Sequence, residues 1–157
     1  MEENRERDFF LKIDGIDGES QDSKHPNEIR IEDFTLNVVS RGRRGDYTVG
    51  KPVHDDARFF AFVEQSYPKI KHACATRDSF AKAVLTCRKA GKNQQDYLRI
   101  TLSQVLVTSC KIHTDGQLLP LMEFTLSFVK ELIEYKEQKQ DGSLSGAISA
   151  EVDLRRS

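Results

Sequence analysis

The alternation of apolar and polar residues along the chain predicts a protein built mainly of β-strands. The clearest segment is 97–108, in which apolar residues recur at every second position and only Gln104 interrupts the row. That row consists of Leu98, Ile100, Leu102 and Leu106. Period-two spacing of this kind is typical of a strand with one buried face. We therefore expect this even-numbered face to lie on the core.

The opposite face of segment 97–108 changes character along its length. Arg99, Thr101 and Ser103 are polar, whereas Val105 and Val107 are apolar. An outward face that turns apolar at one end indicates that another surface covers it there. The sequence leaves two sources of that cover open, namely a helix of the same chain or a neighbouring subunit.

Similar patterns predict further strands. They lie at 9–13, 29–40, 82–88, 122–128 and 147–154. The phase of the pattern changes within 29–40, which predicts a β-bulge near Glu32 and Asp33, and again past Lys130, which predicts a second bulge. Segment 57–64 is compatible with a strand or a helix, and periodicity alone leaves that choice open.

One short helix is predicted to begin after Ser66. This serine would be the N-cap, and Pro68 would lie in the first turn, where its missing N–H costs nothing. The helix is expected to end at 74–76. Many strands and one helix in 157 residues predict a single domain, 1–157, built as an antiparallel β-barrel of about seven or eight strands with one short flanking α-helix.

The charge composition gives no general attraction to nucleic acid or to an anionic membrane. Lys+Arg number 24 and Asp+Glu number 25, for a net charge of -1, and the apolar runs are short for a membrane span. Residues 1–8 are rich in charged side chains and predict a charged N-terminal extension without a classical signal peptide. Cys74, Cys87 and Cys110 are widely spaced and indicate folding in a reducing cytosol.

Segment 41–56 is predicted to be an extended loop, because glycines, a proline and positive charge are concentrated in it. Its residues Arg41, Arg43 and Arg44 could grip phosphates or an acidic protein surface. A solvated, flexible loop is the alternative. With Tyr47 available for base stacking, the same arginines would also serve a monomeric nucleic-acid-binding barrel.

The residue spacing predicts no catalytic, cofactor or metal site. His72, Cys74, Cys110 and His113 fit no compact zinc motif, although a small Cys/His hydrolase remains an alternative function. The acidic residues of loop 14–26 lack the spacing of a calcium-binding loop and are expected to form a solvated turn. They are Asp14, Asp17, Glu19 and Asp22.

Four blocks of sequence keep a characteristic order and spacing over 9–142. They are Phe10-Leu-Lys-Ile-Asp-Gly-Ile-Asp-Gly-Glu-Ser with Lys24-His25, Ser66-Tyr-Pro-Lys with Ala73-Cys74, Arg88-Lys-Ala-Gly with Tyr97-Leu-Arg-Ile-Thr-Leu-Ser, and Phe128 through Tyr135 to Gln138-Lys-Gln-Asp-Gly. No single block is specific. Together they resemble the haemolysin-coregulated protein (Hcp) family.

The resemblance implies a barrel subunit that assembles as a homohexameric ring. Rings of this family stack into the inner tube of the bacterial type VI secretion system, which carries effectors in its lumen and is fired by a contractile sheath behind a spike. The chain would then be a structural, non-enzymatic protein without a cofactor. It would be present in the cytoplasm during assembly and then be secreted without a signal peptide. Its partners would be its own copies, sheath and spike proteins and effectors, with no nucleic acid and no direct membrane insertion.

Two candidate functional sites follow from the resemblance. In this family the long loop after the second strand helps rings to stack, and here it carries arginines where glycine is common. The ring-stacking residues would be Arg41, Arg43, Arg44, Asp46 and Tyr47. The acidic loop at 14–22 is the candidate complement on the opposite ring face. Thr35, which alternation directs away from Phe34 and Leu36, would face the lumen.

Overall fold

The computed structural model describes residues 7–40, 42, 44–45, 51–89, 94–114, 116, 118–139, 143–144 and 146–156. These residues form eleven strands, one α-helix and a 3₁₀ turn at Leu154–Arg156. The strands are β1 Arg7–Ile13, β2 Ile29–Ile31, β3 Asp33–Thr35, β4 Val38–Val39, β5 Val53–His54, β6 Ala57–Phe62, β7 Ser79–Lys89, β8 Asp96–His113, β9 Leu121–Ser127, β10 Lys130–Tyr135 and β11 Ile148–Asp153. The helix α1 is Tyr67–Thr76.

The strand pairs are antiparallel, which confirms the expected mainly β fold with one short helix. The hydrogen-bonded order is β2-β1-β7-β8-β9-β6-β3, with β10 and β11 branching from β8 and with β4 and β5 in a separate ribbon. In the described chain β2 and β3 do not pair with each other, so no ladder closes the barrel. The chain itself connects them through Glu32, whose backbone N–H donates to the Phe60 carbonyl oxygen at 2.8 Å.

Segment 29–40 is not the single strand that alternation predicted. It contains three short strands, of which β2 pairs with β1, β3 pairs with β6 and β4 pairs with β5. The phase change expected near Glu32 and Asp33 is present, but it marks an exchange of partner strands rather than a bulge within one ladder. Divisions of this kind raise the number of strands in the described chain above the expected seven or eight.

Segment 57–64, which periodicity left open between strand and helix, contains strand β6. This strand lies between β3 and β9, and its residues Ala57, Phe59 and Ala61 are buried while Arg58 is exposed. The inward face of β6 therefore has the period-two burial of a strand that covers the core on one side.

The helix α1 begins after Ser66, contains Pro68 in its first turn and ends within the expected range 74–76. Ser66 occupies the N-cap position, but its side chain makes no capping hydrogen bond. Instead, the Ser66 backbone N–H donates to Oε1 of Glu64 at 3.1 Å. This bond engages the N–H of the N-cap residue itself, so it does not replace the expected bond from the first turn of the helix to the serine hydroxyl.

A crease crosses the sheet at Gln104 of β8 and changes which face is buried. Gln104 has a left-handed backbone with φ 54, and the β7 and β8 residues in register skip this position. Beyond the crease Val105 and Val107 are buried, whereas Leu106 is 38% exposed. The expectation that the even-numbered face stays on the core along the whole strand is therefore wrong after Gln104.

The second predicted phase change, expected past Lys130, is found slightly earlier as a break between β9 and β10 at 128–129. Both strands pair with the same edge of β8, β9 along its later half and β10 along its earlier half. The break therefore lies opposite the crease in β8. The final strand, β11, pairs with β10.

The core lies between the inward face of the sheet and one side of α1. Ile70 and Ala73 of the helix join the same buried cluster as Val105 and Val107 of β8, and α1 packs against β8. The apolar end of that strand is therefore covered by the chain's own helix and not by a neighbouring subunit. No helix among the described residues is long and apolar enough to cross a membrane.

Candidate functional site

A polar cleft lies on the sheet where β3, β6, β8 and β9 come together. It has a volume of about 550 Å³. Its lining residues are Thr35, Asn37, Asp55, Asp56, Arg58, Ser109 and Thr125. Because these residues come from distant parts of the chain, the fold rather than a local sequence motif creates the cleft.

A β-bulge at Thr108 explains the cluster of hydroxyl groups in the cleft. Val107 pairs with Leu126, and the pairing resumes at Ser109 with Thr125, so Thr108 is the extra residue. Consecutive side chains at a bulge no longer point to strictly opposite faces of the sheet. The hydroxyl oxygens of Thr108 and Ser109 therefore both lie 2.6 Å from the hydroxyl oxygen of Thr125.

Charged groups border these hydroxyls. Oδ2 of Asp56 accepts a hydrogen bond from the Thr108 hydroxyl at 2.7 Å, and the backbone N–H of Asp55 donates to the Asn37 carbonyl at 3.1 Å. Arg58 is exposed beside them. Within the described chain no ion pair engages Asp55, Asp56 or Arg58. The cleft can therefore offer carboxylate, guanidinium and hydroxyl groups to a polar segment of another polypeptide.

Thr35, predicted to face a lumen, is exposed and lines this cleft. Phe34 and Leu36 pack against the core on the other side, as alternation indicates. The assignment of Thr35 to a lumen stays a prediction. Alternation did not identify the other residues of the cleft. The sequence feature that points to the cleft is a pair of adjacent hydroxyl residues, Thr108 and Ser109, at the end of an alternating apolar row.

The predicted ring-stacking loop is only partly described by the structure. Arg44 is exposed in the connection between β4 and β5. Arg41, Arg43, Asp46 and Tyr47 lie outside the described residues. The role of this loop therefore stays a prediction.

The histidine and cysteine candidates do not form a metal site in the described chain, where no group of three or more potential ligands converges. Cys74 and Cys110 both pack against the core. Burial is the main cause that raises the pKa of the Cys110 thiol, and the nearby Cys74 is a smaller cause. Burial also raises the pKa of Cys87 to about 11, with a smaller effect from Asp96. Because a nucleophilic cysteine needs a thiolate, these surroundings disfavour Cys87 and Cys110 as nucleophiles of a Cys/His hydrolase.

A buried ion-pair network binds the acidic loop to the sheet. Arg88 is 1% exposed, and its guanidinium donates from Nη1 and Nη2 to the two carboxylate oxygens of Asp22, each at 2.8 Å. Nη2 also donates to Asp8 at 2.9 Å. Asp22 was expected in a solvated turn, which is wrong because this two-pronged contact withdraws it from solvent. Asp8, counted with the charged extension, lies in β1.

Phe10 is the apolar centre of this network. The ring is fully buried, with the Arg88 guanidinium carbon 4.9 Å from its centroid and the His25 imidazole stacked on it at 4.5 Å between centroids. The imidazole nitrogens of His25 lie 3.0 Å from carboxylate oxygens of Glu28 and Asp96. Residues from the first and third resemblance blocks therefore meet in one cluster, which indicates that these blocks stabilise the fold.

The acid stability of the protein should depend on Asp22. The Arg88 hydrogen bond is the main cause that lowers the pKa of Asp22 from 3.8 to about 2. The contribution of this carboxylate is therefore complete above about pH 4 and is lost as the pH falls towards 2. Allowing for solvent screening, we expect the loss to be about 1–2 kcal/mol in the free energy of unfolding.

Urea unfolding at pH 5 and pH 2 checks this expectation in the wild type and in Asp22→Asn. The variant should lose less stability between the two pH values than the wild type does. Asp14→Asn, at an exposed position of the same loop, is the control and should keep the wild-type difference. An unchanged acid dependence in Asp22→Asn would contradict the assignment.

Comparison with known proteins identifies the class of protein to which this fold belongs. Residues 10–135 match the family model described as the type VI secretion system effector Hcp. The chain is 35% identical to protein hcp1 of Pseudomonas aeruginosa over 144 residues, which cover 88% of this chain and 89% of that protein.

Solved structures agree with the sequence match. Hcp1 from Salmonella typhimurium superposes with a TM-score of 0.82 and 30% identity, with 97% of each chain covered. A type VI secretion system effector from Yersinia pestis gives a TM-score of 0.78 and 29% identity, with 93% of this chain and 99% of that chain covered. The protein belongs to the Hcp family of the type VI secretion system.

Proposed function

We propose that this protein is a structural, non-enzymatic subunit that forms hexameric rings, and that the rings stack into the inner tube of a bacterial type VI secretion system. The observation that carries this proposal is the match to Hcp proteins over nearly the whole chain, with 97% covered by the Salmonella typhimurium Hcp1 structure. Assembly in the cytoplasm, export without a signal peptide and contacts with sheath and spike proteins are parts of the same proposal.

The cleft beside Thr35 is the proposed contact for effectors inside the tube. This proposal is supported by the chemistry of the lining. Thr125 offers a hydroxyl group, Asn37 an amide and Arg58 a positive charge, and aspartates supply negative charge. Such groups can hydrogen-bond a polypeptide surface without requiring one particular sequence. This suits a lumen that receives more than one effector.

Native mass spectrometry and negative-stain imaging of the purified protein test the proposed assembly. We expect hexamers that appear as six-fold rings. A protein that stays monomeric at high micromolar concentration would contradict the proposal. A monomer that binds single-stranded nucleic acid, with an affinity that falls steeply as salt rises, would instead support the nucleic-acid-binding alternative.

Substitution of Thr35 by tyrosine should separate ring formation from effector binding. Thr35 is exposed on β3, so the rings should persist in native mass spectrometry. The bulky ring should block the cleft and reduce effector capture roughly tenfold, which corresponds to about 1.4 kcal/mol. The measurement is quantitative mass spectrometry of effectors that co-purify with tagged rings.

Ser79→Tyr provides the matched control, because Ser79 is an exposed hydroxyl residue on β7 that does not line the cleft. Rings of this variant should capture effectors as the wild type does. Equal capture by the Thr35 and Ser79 variants would remove the support for an effector contact at the cleft.

A further inference from the structure

The two half-buried cysteines, Cys74 and Cys110, lie on elements that pack against each other. Cys74 belongs to the last turns of α1 and follows the buried Ala73 directly. Cys110 lies on β8 in register with the buried Phe124, so it is on the inward face of the sheet. Both side chains are free thiols and pack against the same core cluster. The two thiols therefore face the layer between the helix and the sheet.

The connections at the two ends of α1 fix its position over β8. Before the helix, β6 ends at Phe62, which is linked through one residue of β9 to His113 of β8. After the helix, β7 begins at Ser79, which pairs with Leu106 of β8. Because β6 and β7 lie on opposite sides of β8, α1 crosses over the part of β8 between 106 and 113. That part contains Cys110.

The surroundings of the Cys110 thiol show which helix residues face it. Burial is the main cause that raises its pKa, Cys74 raises it further, and Lys71 lowers it. Charged groups shift a pKa only at short range, and helix residues three positions apart lie on one face. Cys110 therefore lies opposite the face that carries Lys71 and Cys74. The α-carbons of α1 and β8 come within 8 Å of each other, close to the roughly 7 Å that a disulfide can span.

We propose that Cys74 and Cys110 are a redox-sensitive pair that closes into an intrachain disulfide when the protein passes from a reducing to an oxidising compartment. In a reducing cytosol the thiols stay free, so the protein folds without the bond. Once formed, the disulfide ties α1 to β8 beside the core. Export to an oxidising environment is part of the proposed function, whereas the chemistry of the pair does not depend on ring assembly.

Thiol–disulfide exchange forms the bond in two balanced steps, with a small-molecule disulfide such as oxidised glutathione as the oxidant. One cysteine thiolate attacks a sulfur of the oxidant, which gives a mixed disulfide and releases one glutathione thiolate. The other cysteine thiolate attacks the protein sulfur of the mixed disulfide and releases the second glutathione. The two cysteines lose two electrons and two protons, and these convert one oxidant molecule to two thiols. Because both steps need a thiolate, the reaction should be faster as the pH rises.

The third cysteine, Cys87, is separated from the pair by the fold. It is 1% exposed, and on β7 it is in register with Leu98, near the beginning of β8. The helix crosses the other end of β8, where Cys110 lies. Three cysteines allow three intrachain pairings, and the structure therefore favours one of them.

Disulfide mapping of the wild-type protein tests the pair. Reduced, purified protein is incubated with oxidised glutathione at mildly alkaline pH, the remaining thiols are blocked with N-ethylmaleimide, and tryptic peptides are analysed by mass spectrometry. We expect peptide 72–77 joined to peptide 100–111, at least tenfold above every other pairing, in a chain that has lost two hydrogen atoms. A native chain that keeps three free thiols, pairs Cys87 or forms only disulfides between chains would overturn the proposal.

The same oxidation in concentrated urea is the matched control, because it removes the fold and keeps the sequence. In an unfolded chain the shorter loop between Cys74 and Cys87 closes more readily than the longer loop to Cys110, so selectivity for the proposed pair should be lost. In the native chain Cys87→Ala should leave the bond unchanged, whereas Cys74→Ala should abolish it. Equal pairing patterns in the folded and unfolded chains would overturn the selection of this pair by the fold.

The disulfide should also make the protein harder to unfold. It closes a loop of about 37 residues, and in the chain-entropy model such a closure lowers the population of unfolded chain by well over tenfold. Urea unfolding of the oxidised and reduced wild type measures this difference, which dithiothreitol should abolish. Rings that never acquire the disulfide would overturn the pair and leave the proposed tube function intact. A disulfide in a chain that forms no rings would support the pair and overturn the hexameric ring.

Discussion

Replacing Arg88 by methionine is expected to lower the free energy of unfolding by about 3–5 kcal/mol, because the change leaves the Asp22 carboxylate, whose side chain is only 15% exposed, without its cation and leaves Asp8 paired with Arg30 alone. Asp8 and Asp22 both accept hydrogen bonds from Arg88, at 2.9 Å and 2.8 Å. Urea unfolding at pH 7 measures the effect. We expect a larger loss at neutral pH than at pH 2, because the pKa of Asp22 is about 2 and its carboxylate carries charge at neutral pH.

Arg155→Met is the matched control for this experiment. Arg155 also pairs with an aspartate, Asp153, at 3.1 Å, but the arginine is exposed and its removal should change stability little. Adding Asp22→Asn to the Arg88→Met chain should recover part of the loss, because a neutral amide costs less to bury than an unpaired carboxylate. If the Arg88 and Arg155 variants lost similar amounts of free energy of unfolding, the buried Arg88 network would stabilise the protein no more than an exposed ion pair does.

Phe10→Ala should destabilise the protein by about 3–5 kcal/mol, the range for removing a buried aromatic ring. Phe10 is fully buried, and its ring contacts both the Arg88 guanidinium and the His25 imidazole. The substitution therefore removes core volume and one wall of the ion-pair network at once. Thermal and urea unfolding of purified variants are the measurements.

Phe9→Ala is the neighbouring control on the other face of β1. Phe9 is half-buried and makes an edge-to-face contact with Phe34 at 5.1 Å between centroids. Its loss should cost about 1–2 kcal/mol because less apolar surface returns to water. If the two alanine variants were equally stable, Phe10 would have no role beyond that of an ordinary partly buried ring.

Much of the fold follows from features that act locally in the sequence. Alternation identifies the long strands, and Ser66 with Pro68 identifies the start of α1. Alternation cannot identify the crease at Gln104, because a left-handed backbone is usual for glycine or asparagine and not for glutamine. Burial of Val105 and Val107 is imposed by tertiary packing against α1, and tertiary packing overrides a local pattern.

The candidate sites were harder to predict because they depend on which strands become neighbours. Thr35 was identified through the family resemblance, but its neighbours carry no shared motif, because Asp56 comes from the connection between β5 and β6 and Thr125 comes from β9. The bulge at Thr108 is a property of the pairing between β8 and β9. Likewise, Asp22 looks solvent-exposed in sequence until the fold brings it to Arg88, 66 positions away.

The exchange of partner strands at Glu32 gives the sheet an uneven resistance to local opening. β2 and β3 are three residues long, so detaching them breaks few ladder hydrogen bonds and leaves the long pairing of β7 with β8 intact. Segments held by few hydrogen bonds open at a lower free energy than the whole domain does. Within the described sheet of nine strands, the exchange at Glu32 is therefore a place at which the protein can open transiently, and it lies directly beside Thr35.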